Sequence, residues 1–125
     1  MILGIGADIV EIARLRKALD RSRVRFLQKI FTHEEQQFCA RQSDPTPHYA
    51  ARFAAKEAVF KALGTGWAKG VAWLDVEVHR ERQEAPAIVL HGEALRLSAR
   101  MGVNRVHLSL SHSGQAAIAM VILER

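Results

Sequence analysis

Four groups of residues in this sequence carry side chains able to do chemistry. The densest is Arg52-Phe53-Ala54-Ala55-Lys56-Glu57-Ala58-Val59-Phe60-Lys61-Ala62-Leu63-Gly64. On a helix, residues four apart lie roughly 40° apart around the axis, so Phe53, Glu57 and Lys61 form one stripe. Glu57 is then flanked by Phe53, Ala54 and Phe60, where a carboxylate is expensive to bury unless a cation pairs with it. Two readings are open. Glu57 and Lys61 form a surface ion pair worth about 0.3 kcal/mol, or Glu57 is held for a metal or a reacting proton. The second group is Asp8, where an apolar strand turns toward a helix. It is either a capping or turn aspartate or a second oxygen ligand. If Asp8 and Glu57 converge, they suit Mg²⁺, which commonly takes one or two carboxylates and completes its shell with phosphates and water.

The third group is Val106-His107-Leu108-Ser109-Leu110-Ser111-His112-Ser113. Strand alternation puts His107, Ser109 and Ser111 on one face, with His112 at the end. A strand-end histidine is either structural or functional. A serine hydrolase would need a Gly-x-Ser-x-Gly elbow, and none is present. The cysteine and histidine spacing fits no zinc site. Gly4-x-Gly6 lacks the third glycine of a dinucleotide fingerprint, and no Walker pattern occurs. The fourth group is the basic run Arg14, Arg16, Lys17, Arg21, Arg23 and Arg25. It is either a solvated helix face or a docking patch for an acidic surface. It lacks the interleaved aromatics of a nucleic-acid surface.

These residues need elements to position them. Ile2 to Asp8 reads as a buried strand, with Gly4 and Gly6 permitting close backbone packing. Ile12, Leu15 and Leu19 recur at helical spacing, predicting a helix from Glu11 to about Asp20. Thr32-His33-Glu34-Glu35 is a capping-box pattern, so a helix runs from near His33 to about Arg41. Asp44-Pro45-Thr46-Pro47 is expected to stop it. A third helix spans about Tyr49 to Leu63, rich in good helix formers and ended by Gly64. Gly64, Gly66 and Gly70 make a loop. Val71 to His79 alternates as a strand, with Ala87 to Leu90 its hairpin partner across Glu81 to Pro86. Gly92 to Met101 is a helix ended by Gly102. Val106 to Ser111 and Ala116 to Leu123 are two more strands. This order predicts an α+β fold, a mostly antiparallel sheet packed against helices, in one domain over residues 1–125.

The 125 residues are 49% hydrophobic and 25% charged, as in a globular chain, and carry a net charge of +5. That balance favours an anionic partner. A chain this short has much surface for its volume, and oligomerisation would bury more of it. One cysteine, Cys39, allows no intrachain disulfide and suits a reducing compartment. Met1 to Val10 lacks a basic n-region and a cleavage site, and no run approaches the roughly 18 apolar residues of a membrane span. No membrane insertion is expected, and the cytoplasm is the expected location.

Three segments, in this order and spacing, resemble the short-form holo-(acyl-carrier-protein) synthase family of phosphopantetheinyl transferases. They are Gly4-Ile5-Gly6-Ala7-Asp8-Ile9-Val10-Glu11, then Arg52 through Lys61 with Gly64-Thr65-Gly66, then Leu108-Ser109-Leu110-Ser111-His112-Ser113. The resemblance implies the 4′-phosphopantetheinyl transferase fold. It implies transfer of 4′-phosphopantetheine from coenzyme A to a serine of apo-acyl carrier protein, with release of adenosine 3′,5′-bisphosphate, in support of fatty acid biosynthesis. It makes Asp8 and Glu57 ligands of Mg²⁺ and puts Lys61 on the reacting phosphates. Arg52, Gly64 and His112 border the nucleotide, with His112 near its 3′-phosphate. It also implies a homotrimer with active sites between subunits. Acyl carrier proteins are acidic, so Arg14, Lys17, Arg21 and Arg25 become the expected docking surface. Two rivals remain to compare: a basic nucleic-acid-binding module, and a coenzyme A-binding protein without transfer activity.

Overall fold

The computed structural model describes residues 1–66, 70–80 and 84–125. The first strand, β1 (Ile2–Glu11), pairs antiparallel with the last, β5 (Ala116–Glu124). β5 pairs in turn with β4 (Arg105–His112), so the sheet order is β1-β5-β4. One face of this sheet buries Ala117, Ala119, Val121 and Leu123 under the long helix α3 (Pro45–Leu63).

Gly4 and Gly6 explain how close that helix comes. A β-carbon added to Gly6 would overlap the carbonyl oxygen of Ala58, and one added to Gly4 that of Ala62. Helix backbone therefore rests on strand backbone, as the two glycines predicted. The start of α3 differs from expectation. It begins at Pro45, four residues before the predicted Tyr49, and the prolines open it; the preceding helix ends at Ala40, short of them, as expected. Asp44 caps it by accepting from the Thr46 amide at 3.3 Å, and Pro45 takes the first position, where no N–H partner is needed. Gly64 ends it in the left-handed conformation, φ 78°.

The first helix, α1 (Ile12–Ile30), also exceeds its predicted end near Asp20. Its backbone breaks helical geometry at Ser22 and then resumes. The resumed segment is held by tertiary packing, since Leu27 and Ile30 are buried in the core. α2 (His33–Ala40) forms as the capping box predicted: Thr32 Oγ1 accepts from the Glu35 amide, and Glu35 Oε1 from the Thr32 amide.

The predicted strand over 71–79 is shorter. Trp73–Asp75 forms a 3₁₀ turn, closed where Asp75 accepts from the Ala72 amide at 3.0 Å. The burial of Trp73 against Phe53 and Phe60 favours that turn over an extended chain. Only β2 (Val76–His79) pairs with β3 (Ala87–Leu90), as a second antiparallel sheet. Their expected connection includes residues 81–83, which lie outside the described residues. α4 (Gly92–Met101) ends at Gly102, φ 85°. Among the described residues every strand pairing is antiparallel, and helices pack against one face of the three-stranded sheet, as the α+β prediction had it. Among the described residues no helix is long and apolar enough to cross a membrane.

Two features bear on function. Lys56 and Glu35 form a fully buried ion pair at 2.8 Å. Lys56 Nζ also donates to the carbonyls of Trp73 and Val76, and Glu35 Oε2 accepts from the Val78 amide. This node joins α2, α3, the 3₁₀ turn and β2. The second feature is the open face of the three-stranded sheet. Ile5, Ile122 and His107 form one cross-strand row, Ala7, Met120 and Ser109 the next, and Ile9, Ile118 and Ser111 a third. Ile5, Ile9, Ile118 and Met120 are exposed there, so an apolar band lies on the surface.

Candidate active site at the crossing of strand β1 and helix α3

The glycine contacts set the site. Two residues of strand advance about 6.6 Å and four residues of helix about 6 Å. The Gly4–Ala62 and Gly6–Ala58 contacts therefore carry on to bring Asp8 beside the helical turn before Ala58. Helical side chains slant toward the N-terminus, so the long Lys61 chain reaches back to that level. Lys61 Nζ donates to Asp8 Oδ1 at 2.9 Å and to the Ala7 carbonyl at 3.0 Å. The Asp8 side chain is 12% exposed and that of Lys61 52%. Hydrogen bonding to Asp8 holds the Lys61 ammonium above its usual range.

The Glu57–Lys61 ion pair that the helix spacing left open is thus not made. Lys61 is turned to Asp8 instead. Glu57 is half-buried, and among the described residues no hydrogen bond or ion pair holds it. Burial raises its pKa first and the negative charge of Asp8 adds to this, with Lys61 opposing. A desolvated carboxylate beside a second carboxylate lacks positive charge, and a divalent cation would supply it. Two hard oxygen donors with partial exposure fit Mg²⁺ completed by substrate phosphates. Among the described residues no group of three or more candidate ligands forms a closed cage.

The other expected nucleotide residues lie toward the start of α3. Arg52 is buried, at 2% exposure. Its guanidinium lies 4.1 Å from the centroid of the Phe38 ring, and Nη1 donates to the His48 carbonyl at 3.3 Å. Its Nε is buried with no partner. His112, at the exposed end of β4, sets its ring edge-on to His48 at 5.6 Å, and His48 in turn lies 6.0 Å from Phe38. The structure thus gathers Asp8, Glu57 and Lys61 in one cluster and links Arg52 to His112 through Phe38 and His48 in another. Gly64 terminates the helix that carries both. Cys39 is buried, which pushes its thiol up to about 12 and makes it a poor nucleophile.

Arg14, Lys17, Arg21 and Arg25 are all exposed on α1, as a docking surface requires. Arg16 is engaged elsewhere. It binds Asp44 at 3.1 Å and Thr46 Oγ1 at 3.3 Å, and so straps α1 to the start of α3. Sequence reasoning missed Phe38, His48 and the Lys56–Glu35 node. Thr32-x-x-Glu35 signalled Glu35 only as a cap, and no spacing in the chain pairs it with Lys56.

Residues 4–121 match the family model of the 4′-phosphopantetheinyl transferase superfamily, and the chain belongs to that superfamily. Full-length relatives narrow the class. A holo-[acyl-carrier-protein] synthase from Koribacter versatilis is 48% identical over 99% of both chains. The crystal structure of the Neisseria meningitidis holo-[acyl-carrier-protein] synthase is 33% identical, covers all of both chains, and superposes with a TM-score of 0.89. The Bacillus anthracis synthase, solved in complex with CoA (3′,5′-ADP), is 40% identical over 99% of this chain and 97% of its own, with a TM-score of 0.80. Within the superfamily, this chain's family is that of the holo-[acyl-carrier-protein] synthases.

Proposed function

We propose that this chain transfers 4′-phosphopantetheine from coenzyme A to a serine of apo-acyl carrier protein. The serine oxygen attacks the β-phosphorus of the pyrophosphate, and the bond to adenosine 3′,5′-bisphosphate breaks. The serine proton leaves to a base. The observation that carries this reading is the convergence of Lys61, Asp8 and an unpaired, desolvated Glu57 where β1 crosses α3. A pure binder of coenzyme A would not need that set.

Each residue has a task that its surroundings suit. Lys61 presents a positive charge, half in solvent, where charge builds on the transferring phosphate. Asp8 orients that ammonium. Glu57 accepts the serine proton directly or through a water. Asp8 and Glu57 would together hold Mg²⁺, which when bound neutralises pyrophosphate charge and steadies the leaving group. Arg52, Gly64 and His112 border the nucleotide.

The exposed bases Arg14, Lys17, Arg21 and Arg25 of α1 dock the acidic carrier protein. The apolar open face of the sheet is the contact between copies in a homotrimer. β1 carries Asp8 on one face and that apolar band on the other, so a neighbouring subunit would border the active site. The lone thiol and the carrier partner fit a cytoplasmic enzyme of fatty acid biosynthesis.

The test is incubation with coenzyme A, Mg²⁺ and an apo-carrier protein, followed by intact-mass measurement. A mass gain of one phosphopantetheine group, prevented by EDTA, is expected. No gain with several carriers overturns the transfer reading, and a gain that EDTA leaves untouched removes the metal.

A further inference from the structure

Phe53 and Phe60 are seven residues apart on α3, so they share a face of the helix and lie about 10.5 Å apart along it. The Trp73 indole bridges them, 5.0 Å from the Phe53 ring and 5.3 Å from the Phe60 ring. It therefore covers the helix turn between them. At about 100° per residue, Lys56 and Glu57 lie roughly 50° to either side of that covered line. Lys56 faces inward to Glu35, and Glu57, half-buried, faces the other way. The indole is the apolar wall between the two.

Lys56 grips that wall by its backbone. Its ammonium pairs with Glu35 at 2.8 Å, both side chains fully buried, and donates to the carbonyls of Trp73 and Val76. These carbonyls bracket the 3₁₀ turn Trp73–Asp75. The Trp73 carbonyl accepts from the Val76 amide as well, so the backbone that carries the indole is held from two directions. Glu35 completes the clamp by accepting from the Thr32 and Val78 amides. A buried ion pair is seldom more stabilising than apolar side chains of the same volume. Apolar side chains would fill this space but could not aim two carbonyls. What the pair supplies over them is direction.

We infer that Lys56, with Glu35, is a positioning residue for the reaction: it fixes the Trp73 indole against Phe53 and Phe60, and so confines the Glu57 side chain to the side of α3 where Asp8 and Lys61 meet. This rests on the transfer reading above. Loosening the clamp costs turnover rather than substrate affinity, because the wall borders the Glu57 carboxylate and Lys56 itself lies buried behind it.

The test uses Lys56→Met, Lys56→Met with Glu35→Gln, and Trp73→Leu. Glu35→Gln removes the unpaired charge, so the double variant carries the test if Lys56→Met does not fold. Near-ultraviolet circular dichroism of the free protein reads whether the indole is fixed. Trp67 and Trp73 both absorb there, and the band missing from Trp73→Leu belongs to Trp73. That band is expected to be lost in the Lys56 variants too, below their melting temperatures and with the helix signal kept. Turnover is expected to fall about tenfold or more in the Lys56 variants and in Trp73→Leu alike, with KM for coenzyme A and for the carrier within about twofold of wild type. An indole band retained in the Lys56 variants overturns the inference. So does full turnover in either set, or a KM that rises by the factor that kcat falls. A wild type that transfers nothing to any carrier fails the transfer reading instead, and the dichroism then still decides whether Lys56 fixes the ring.

Discussion

One methyl group at Gly6 probes the contact on which the site is built. In Gly6→Ala the new carbon would sit 2.9 Å from the Ala58 carbonyl carbon and 2.9 Å from the Ala62 nitrogen, and would overlap the Ala58 oxygen. Relaxed carbon contacts need about 3.5–4.0 Å. The obstacles are helix backbone, which cannot rotate aside as a side chain does. Strand and helix must therefore part by at least roughly 0.6–1 Å, and the nearer Ala58 oxygen demands more. Such overpacking costs about 1–3 kcal/mol. At about 4 °C per kcal/mol for a chain of this size, Tm falls by about 4–12 °C. The same movement stretches the Lys61–Asp8 hydrogen bond, now 2.9 Å, to at least about 3.5–3.9 Å, beyond useful length. Displacement of that order can lower turnover about 100-fold. The assays are a thermal melt by circular dichroism and the rate of mass gain on apo-carrier protein at saturating coenzyme A. Gly114 has open space around it and serves as the control, so Gly114→Ala should change neither. Wild-type Tm in Gly6→Ala would refute the backbone-on-backbone contact. A lowered Tm with unchanged turnover would refute the link from that contact to Asp8 and Lys61.

The remaining predictions address separate parts of the molecule. Glu57 has a raised pKa in the folded protein, so its ionised form opposes folding once the pH exceeds the unfolded value of 4.5. Metal-free Glu57→Gln is therefore expected to melt at or above the wild type at pH 7, with the difference gone below about pH 4, while turnover falls at least about 100-fold; a lower Tm at pH 7 would sink the electrostatic argument. Lys56→Met leaves the Glu35 carboxylate buried without its cation and should lower stability in urea by about 3–5 kcal/mol. Adding Glu35→Gln, which preserves a capping acceptor, should recover part of that loss, and a single variant within 1 kcal/mol of wild type (about the usual effect of any substitution) contradicts the assignment. Arg14→Glu with Arg21→Glu is expected to raise KM for the carrier protein and leave coenzyme A affinity alone; equal loss of both argues against docking on α1. Met120→Lys puts a charge in the middle of the apolar sheet face; the proposed homotrimer predicts that sedimentation finds trimers of the wild type and monomers of this variant. A persisting trimer would show that the subunits meet elsewhere.

Much of this was readable locally. The Thr32 capping box, the left-handed glycines 64 and 102, and the helical stripe through Glu57 depend only on near neighbours, and these elements form where the sequence predicted them. Local signals also misled where packing outweighed them. α2 ends ahead of Pro45 and Pro47, as read, but those prolines also open α3 four residues before its predicted start at Tyr49, since a first turn needs no amide partners. α1 continues past Asp20 because Leu27 and Ile30 find the core, and residues 73–75 tighten into a turn because Trp73 is wanted inside. The partners of the charged groups were not readable at all. Lys61 stood four residues from Glu57 in sequence, yet it pairs with Asp8 because Gly4 and Gly6 let that strand slide beneath that turn of helix. The pairing of Lys56 with Glu35, and of His48 with His112, likewise depends on which elements lie side by side. Sequence alone determined which residues could do chemistry and which elements carry them. Tertiary structure decided which of them meet, because side-chain reach is only a few ångströms and the glycine-thin contact between strand and helix sets which atoms fall within it.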